Sequence, residues 1–470
     1  MGKLRYRKLM ALMLVLVMVF SLSACGKGGT EETIKEETNN VTKAADPTPT
    51  QEVKSGEKRV ITVGTWYDHY YTSDHKAITD NPNVTDQELA QMQLDNIRAI
   101  EEKYNIELKF VNLTWDGTIE SINTSIMAGV PECDIYEVDL QFGIPAVLNG
   151  YATDLSTVIG GDNDIFNDQT VLSSMDLSDM GKEGVYLFKQ TAVNLNPYPL
   201  AFNMDMIEEA NLENPQDLYD RGEWTWAKFR EYLLALTKDK DGDSVTDVYG
   251  YGGWWTNLLN QMLMSNGTHI AGSTTTGIDS PATIEVLDFI YNMYNVDKVA
   301  KPWNQDDWGI NTTIYAEGLI AFWPTAAWVM AEYGGSDLSF EIGVVPWPVG
   351  PSGSFENNKH NITAGSYYFI PKGIKDPELV YNVFYDWTNW YDGDTELRDD
   401  TEWFENQMIT ERNFNYLKDM GTKEQFDIWG SLGLGDNFSL VPLLNGEKTA
   451  SQLAEESKLV IQDALDSYFK

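Results

Sequence analysis

Cysteine, histidine and basic side chains are scarce in this chain. Its 470 residues include two Cys and four His, and 33 Lys plus Arg stand against 72 Asp plus Glu, a net charge of −39. Two cysteines exclude a disulfide-stapled scaffold and a zinc cluster built on Cys. The shortage of positive charge argues against a nucleic-acid binder, whose affinity rests on Lys and Arg neutralising phosphates. It argues equally against a polybasic membrane-surface protein. No H-E-x-x-H, G-x-S-x-G or G-x-x-x-x-G-K-[ST] pattern occurs. Apolar side chains, by contrast, are ample. A hydrophobic fraction of 42%, with 12% aromatics and 15 Trp, supports large cores rather than disorder. The length predicts about two or three domain-sized units.

One apolar run stands out, at the N-terminus. Lys3, Arg5, Arg7 and Lys8 precede an unbroken apolar stretch from Leu9 to Phe20. That stretch is shorter than the ~20 residues of a spanning helix, so it reads as a secretory signal. It ends in Leu22-Ser23-Ala24-Cys25, which looks like a bacterial lipobox. Small residues suit the peptidase, and the Cys25 thiol supplies the nucleophile for acylation. The expectation is a signal over 1–25, lipidation at Cys25 and a body held at the outer face of the cytoplasmic membrane. Residues 26–58 are rich in Gly, Thr, Glu, Lys and Asn, a composition that cannot bury a core, and predict a flexible tether. Cys133 is then unpaired and reads as a small buried side chain.

The body opens with Val60-Ile61-Thr62-Val63-Gly64-Thr65-Trp66, a β-branched strand ending at aromatics. Thr85–Tyr104 predicts a helix, with Thr85 and Glu88 as a capping box. Ile106–Phe110 predicts a strand, Ile119–Met127 a helix and Ile135–Val138 a third strand. Strand, helix, strand, helix, strand is the pattern of a parallel α/β sheet with right-handed crossovers. Ligands of such sheets sit at the carboxyl ends of the strands. Trp66, Tyr67 and Asp139 therefore fall at a candidate site. Helical patterns dominate from about residue 170, among them Trp226–Thr237, Ala282–Tyr294, Pro377–Tyr391 and Ser451–Phe469. Leu319–Trp323 and Glu341–Val345 predict short strands between them.

Several segments, in order, carry a resemblance. They are Ala128-Gly129-Val130-Pro131 with Asp134, Gly150–Leu155, Phe202-Asn203-Met204-Asp205 and Trp224-Thr225-Trp226. Asp239–Asp243 leading to Tyr249-Gly250, Gly318–Trp328 and Val345–Pro351 continue the series. Together they resemble the family 1 extracellular solute-binding proteins of bacterial ABC importers, the group that includes maltose-binding protein. The resemblance implies a type II two-lobed α/β fold, three crossings between lobes and a ligand cleft at the hinge. It implies one lobe at 59–168 plus 346–391 and another at 169–345 plus 392–470. It further implies a monomeric, non-enzymatic subunit that hands a solute, foremost a carbohydrate, to membrane permeases without a cofactor.

Sugar-binding members of that family stack aromatic rings on pyranose faces. Trp66, Tyr67, Trp254, Trp255, Trp323 and Trp328 are the candidates for that task, and core packing is the competing role for each. Asp139, Asn203, Ser366 and Tyr367 are the polar candidates, with loop hydrogen bonding as their competing role. Asp239, Asp241, Asp243 and Asp247 occupy positions 1, 3, 5 and 9 of a calcium-loop pattern. Ser244 and Gly250 break that pattern at positions 6 and 12, so a structural calcium ion competes with a solvated acidic turn. A glycoside hydrolase using paired carboxylates and a surface adhesin are the alternative functions.

Overall fold

The computed structural model describes residues 58–69, 74–81, 84, 86–192, 197–272, 274–304, 308–326, 329–330, 338–361, 366–399, 410–434 and 438–469. The signal segment, Cys25, nearly all of the tether, Thr85 and Trp328 lie outside them. Among the described residues no helix is long and apolar enough to cross a membrane.

The first sheet has strand order β2-β1-β3-β11-β5-β4. β1 (Arg59–Thr65) lies between β2 (Ile106–Asn112) and β3 (Ile135–Val138), parallel to both. Helix α1 (Gln87–Tyr104) makes the β1–β2 crossover. It buries Ala90, Leu94, Ile97 and Ile100, the stripe that helical spacing requires. Its cap is Asp86, which accepts from the Leu89 N–H, and left-handed Asn105 closes it. Helix α2 (Trp115–Ser121) starts before the expected Ile119 and runs into a π turn over Ile122–Ile126. Helix α3 (Leu140–Leu148) follows β3 directly. Ile61, Val63, Ile135, Phe188 and Tyr368 pack on Ile97, Ile100, Val380, Tyr381 and Phe384 in one core. The last three belong to the helix Pro377–Thr388. Cys133 is 2% exposed, and burial pushes its thiol up to about 12. That is the inert, packed role expected of it.

Three lobe boundaries shift from the expected positions. β4 (Leu172–Ser174) and β5 (Phe188–Gln190) complete the first sheet, so the first lobe runs past residue 168 to Gln190. Residues 346–361 stay with the second lobe. The Trp347 Nε1–H donates to the Tyr198 carbonyl at 2.7 Å, and β10 (His360–Asn361) pairs with β12 (Glu424–Gln425). From residue 391 to 399 the chain keeps to the first lobe, because Arg398 Nη1 donates to the Thr170 carbonyl at 2.9 Å. The physical reason is common to all three. Short strands and loops are assigned by hydrogen-bond partners distant in sequence, which local pattern does not reveal.

The second sheet has order β7-β8-β6-β9. Its strands are β6 (Leu200–Asn203), β7 (Tyr249–Tyr251), β8 (Ile320–Pro324) and β9 (Ile342–Val345). β7 and β8 are parallel, and β6 is antiparallel to β8 and β9. β7, β8 and β9 therefore end at the edge where β6 begins. In the first sheet, β1, β2, β3 and β5 end at the edge where β11 (Tyr367–Phe369) begins. The chain leaves the first sheet at Gln190 and enters the second at Leu200. It leaves the second after Val345 and re-enters the first at Tyr367. Both connections join the carboxyl edges, so these two edges adjoin the hinge.

Candidate functional site

Three adjacent strands bring aromatic side chains to the carboxyl edge of the first lobe. Trp66 follows β1, Trp115 opens α2 after β2, and Phe142 lies in the first turn of α3 after β3. Their rings meet edge to face: Trp66 and Trp115 at 5.5 Å, Trp115 and Phe142 at 4.5 Å. Tyr67 adds a further edge contact to Trp66 at 5.9 Å. Trp115 is 39% and Tyr67 37% exposed. Large rings at such exposure, fixed by neighbours, form a platform available to a ligand.

Under this rim lies Glu137, fully buried. Both its carboxylate oxygens accept from the Tyr67 hydroxyl at 3.1 Å, and the Ser366 and Tyr368 hydroxyls also bond it. Burial raises its pKa against those hydroxyl bonds. Asp139, 4% exposed, caps α3 by accepting from the Gln141 N–H at 2.9 Å. Burial pushes its carboxyl up to about 6, opposed by the Gln141 bonds. Strand alternation sends Tyr368, opposite Glu137, to one face and Tyr367, opposite Val138, to the other. Tyr367 is 5% exposed with Lys189 Nζ 5.1 Å from its ring centroid. Tyr368 therefore joins the Glu137 cluster together with exposed Ser366, while the polar candidate Tyr367 lies on the other face.

The second lobe answers with fewer exposed rings. After β7, Gly253 adopts φ +131°, and a Cβ there would lie 2.7 Å from the Pro324 side chain. Only glycine lets the chain turn this closely against the end of β8. The turn delivers Trp254, partly buried, to an edge contact with Trp303 at 5.5 Å. Beside them Lys301, Asn304, Asn311 and Glu317 line a cavity of about 330 Å³, within the usual size range of ligand pockets.

Three expected contacts are corrected here. Trp323 is 1% exposed in β8, stacked on Tyr315 at 4.6 Å, and is a core residue. Trp255 is 7% exposed, stacked on Trp429 at 6.1 Å in the main core. Asn203 ends β6, which runs antiparallel to β8, so it lies at the sheet edge opposite the hinge. Its side chain caps the helix Met204–Glu209 by accepting from the Met206 N–H. Residues missed by sequence reading are Trp115, Phe142, Glu137 and Trp303. Trp115 carried the same signal as Trp66, an aromatic just past a strand. Glu137 carried none, since a carboxylate inside a strand reads as solvated.

In the acidic loop, carboxylate oxygens of Asp239, Asp241 and Asp247 lie within 4.8 Å of one another. Asp243 is not in that group and accepts instead from the Val245 N–H. Asp239 accepts from the Gly242 and Ser244 N–H groups, which hold its carboxyl below the usual range.

Two α/β lobes, each built on its own sheet, with two described connections joining their carboxyl edges, define the type II two-lobed binding-protein class. Residues 81–391 match the bacterial extracellular solute-binding protein family, and the chain belongs to it. Solved structures share the fold at low identity. The ABC substrate-binding protein Lmo0181 from Listeria monocytogenes, in complex with cycloalternan, is 17% identical with a TM-score of 0.58, over 88% of this chain and 100% of that one. The maltose/maltodextrin-binding domain MalE from Bdellovibrio bacteriovorus, bound to maltotriose, is 13% identical with a TM-score of 0.56, over 86% and 99%. UgpB from Mycobacterium tuberculosis, in complex with glycerophosphocholine, is 16% identical with a TM-score of 0.57, over 80% and 95%. Comparison with curated protein sequences returns no match.

Proposed function

We propose that this solute-binding protein is the capture subunit of an ABC importer and that its ligand is a carbohydrate, an oligosaccharide foremost. The observation that carries this reading is the pairing of aromatic edges across the hinge. Trp66, Trp115 and Phe142 stand on one carboxyl edge and Trp254 and Trp303 on the other. Sugar C–H faces pack on such rings, while hydroxyls take amides and carboxylates. A ligand touching both edges favours the closed form, and a transporter reads that form. Lipidation at Cys25 would keep a monomeric body at the extracellular face of the membrane. The fold neighbours bound to cycloalternan and maltotriose agree with a carbohydrate.

Titrating the full chain with maltotriose, cyclic and linear glucans, and glycerophosphocholine, read by Trp emission with product analysis, tests the reading. A saturable shift with a glucan and no product supports it. Product formation would point to a hydrolase, and response to glycerophosphocholine alone would move the ligand class. The same reading extends to the acidic loop, where Asp239, Asp241 and Asp247 would hold one calcium ion as a structural brace.

A further inference from the structure

A second cavity lies wholly inside the first lobe, between α1 and the helix Pro377–Thr388. Its volume is about 180 Å³. A void of about 150 Å³ accommodates one benzene-sized ring, so this space admits one six-membered ring and not two. Aromatic groups form its walls: His69, Tyr368, Trp387 and Trp390. His69 is fixed by stacking on Phe110 at 3.9 Å and meets Trp387 edge-on at 5.5 Å.

Amides supply the polar part. Asn96 Nδ2 donates to the carbonyls of Asp386 and Trp387, and Gln190 Nε2 to that of Thr388. Each nitrogen is thus occupied in pinning the end of that helix, and each amide oxygen has no donor among the described residues. Gln93 makes no side-chain hydrogen bond to a described residue. Acceptors, one free amide and aromatic walls are the complement of a ring bearing hydroxyl donors and C–H faces. No Asp, Glu, Lys or Arg is among the described lining residues, although the chain carries 105 such side chains (33 and 72). A cationic ligand would find no carboxylate among these lining residues and an anionic one no Lys or Arg.

The cavity borders the hinge-side edge. Tyr368 is at once a cavity wall and a partner of Glu137, which also binds Tyr67 on the rim. Gln190 ends β5, where the chain leaves the lobe. We propose that this cavity is a one-ring site for a neutral monosaccharide unit, held by the first lobe alone. The inference rests on the carbohydrate reading above for its ligand class. Because the site needs no residue of the second lobe, its occupancy does not require closure.

The test titrates the full chain by calorimetry with D-glucose, D-galactose, D-mannose and D-xylose, and follows the radius of gyration by small-angle scattering. At least one sugar should bind, with the radius unchanged. Gln93→Trp, which places an indole at the cavity from a partly exposed helix position, should weaken that binding at least tenfold. Trp390→Ala, which removes a wall, should weaken it as well, giving a second variant should the first misfold. Absence of binding by all four sugars, binding unaffected by both variants, or contraction on binding would each overturn the proposal. Glucan binding with closure but no monosaccharide binding would leave the proposed function standing and remove only this site. No response to any carbohydrate would overturn both.

Discussion

The two edges that meet at the hinge are built from unlike materials. The first lobe presents its rings from the ends of three parallel strands, where a side chain just past the sheet has no strand left to pack on. Trp66, Tyr67 and Trp115 consequently remain partly exposed above buried Glu137. The second lobe sinks most of its described Trp side chains inside. Among its described Trp side chains, Trp323 and Trp255 serve the core, and Trp254 and Trp303 meet at the edge. The lesson is that a residue after a strand reaches the hinge edge when the strand runs toward it, as Trp66 after β1 does, and not when it runs away, as Asn203 at the end of β6 does.

The largest expected effect separates these two classes of Trp by stability. Trp323→Ala should cost about 3–5 kcal/mol in denaturant unfolding, the range for deleting a buried large ring. Trp115→Ala, at a partly exposed rim, should cost about 1 kcal/mol or less. Equal losses would erase the distinction between core and rim.

A smaller effect concerns the acidic loop of the second lobe. Calcium should raise the melting temperature by about 1–2 °C, on the order of 1 kcal/mol for a body of this size, and Asp241→Ala should abolish the rise. A calcium-insensitive wild type would leave a solvated turn.

A further effect is a pH dependence arising in the first lobe. Asp139 is raised from 3.8 to about 6 by burial, so the folded state binds more protons than the unfolded one between those values. Stability from this group is fully present below about 3.8, falls as pH rises through the window and is level above about 6. Asp139→Asn, which retains a capping oxygen, should flatten that fall in melting temperature between pH 4 and 6. An unchanged slope would assign the dependence to another group.

Much of the first lobe was legible beforehand because β1, β2 and β3 alternate with helices at spacings that permit only a parallel sheet. That logic placed Trp66, Tyr67 and Asp139 at the carboxyl edge. Less of the second lobe was legible. Ile320–Pro324 is buried on both faces, so its sequence carries no alternation to say where Trp323 points. The side of β6 on which Asn203 falls depends on pairing with strands more than a hundred residues away. Tyr367 and Tyr368 are adjacent, and only the register against β3 assigns one of them to Glu137.

The central claim is that one ligand is gripped by both edges. The most direct measurement is the calorimetric affinity of the best-binding glucan for the wild type, Trp115→Ala and Trp254→Ala. Each variant is predicted to lose at least tenfold, about 1.4 kcal/mol, while remaining folded. Wild-type affinity retained in either variant would contradict a two-edged site.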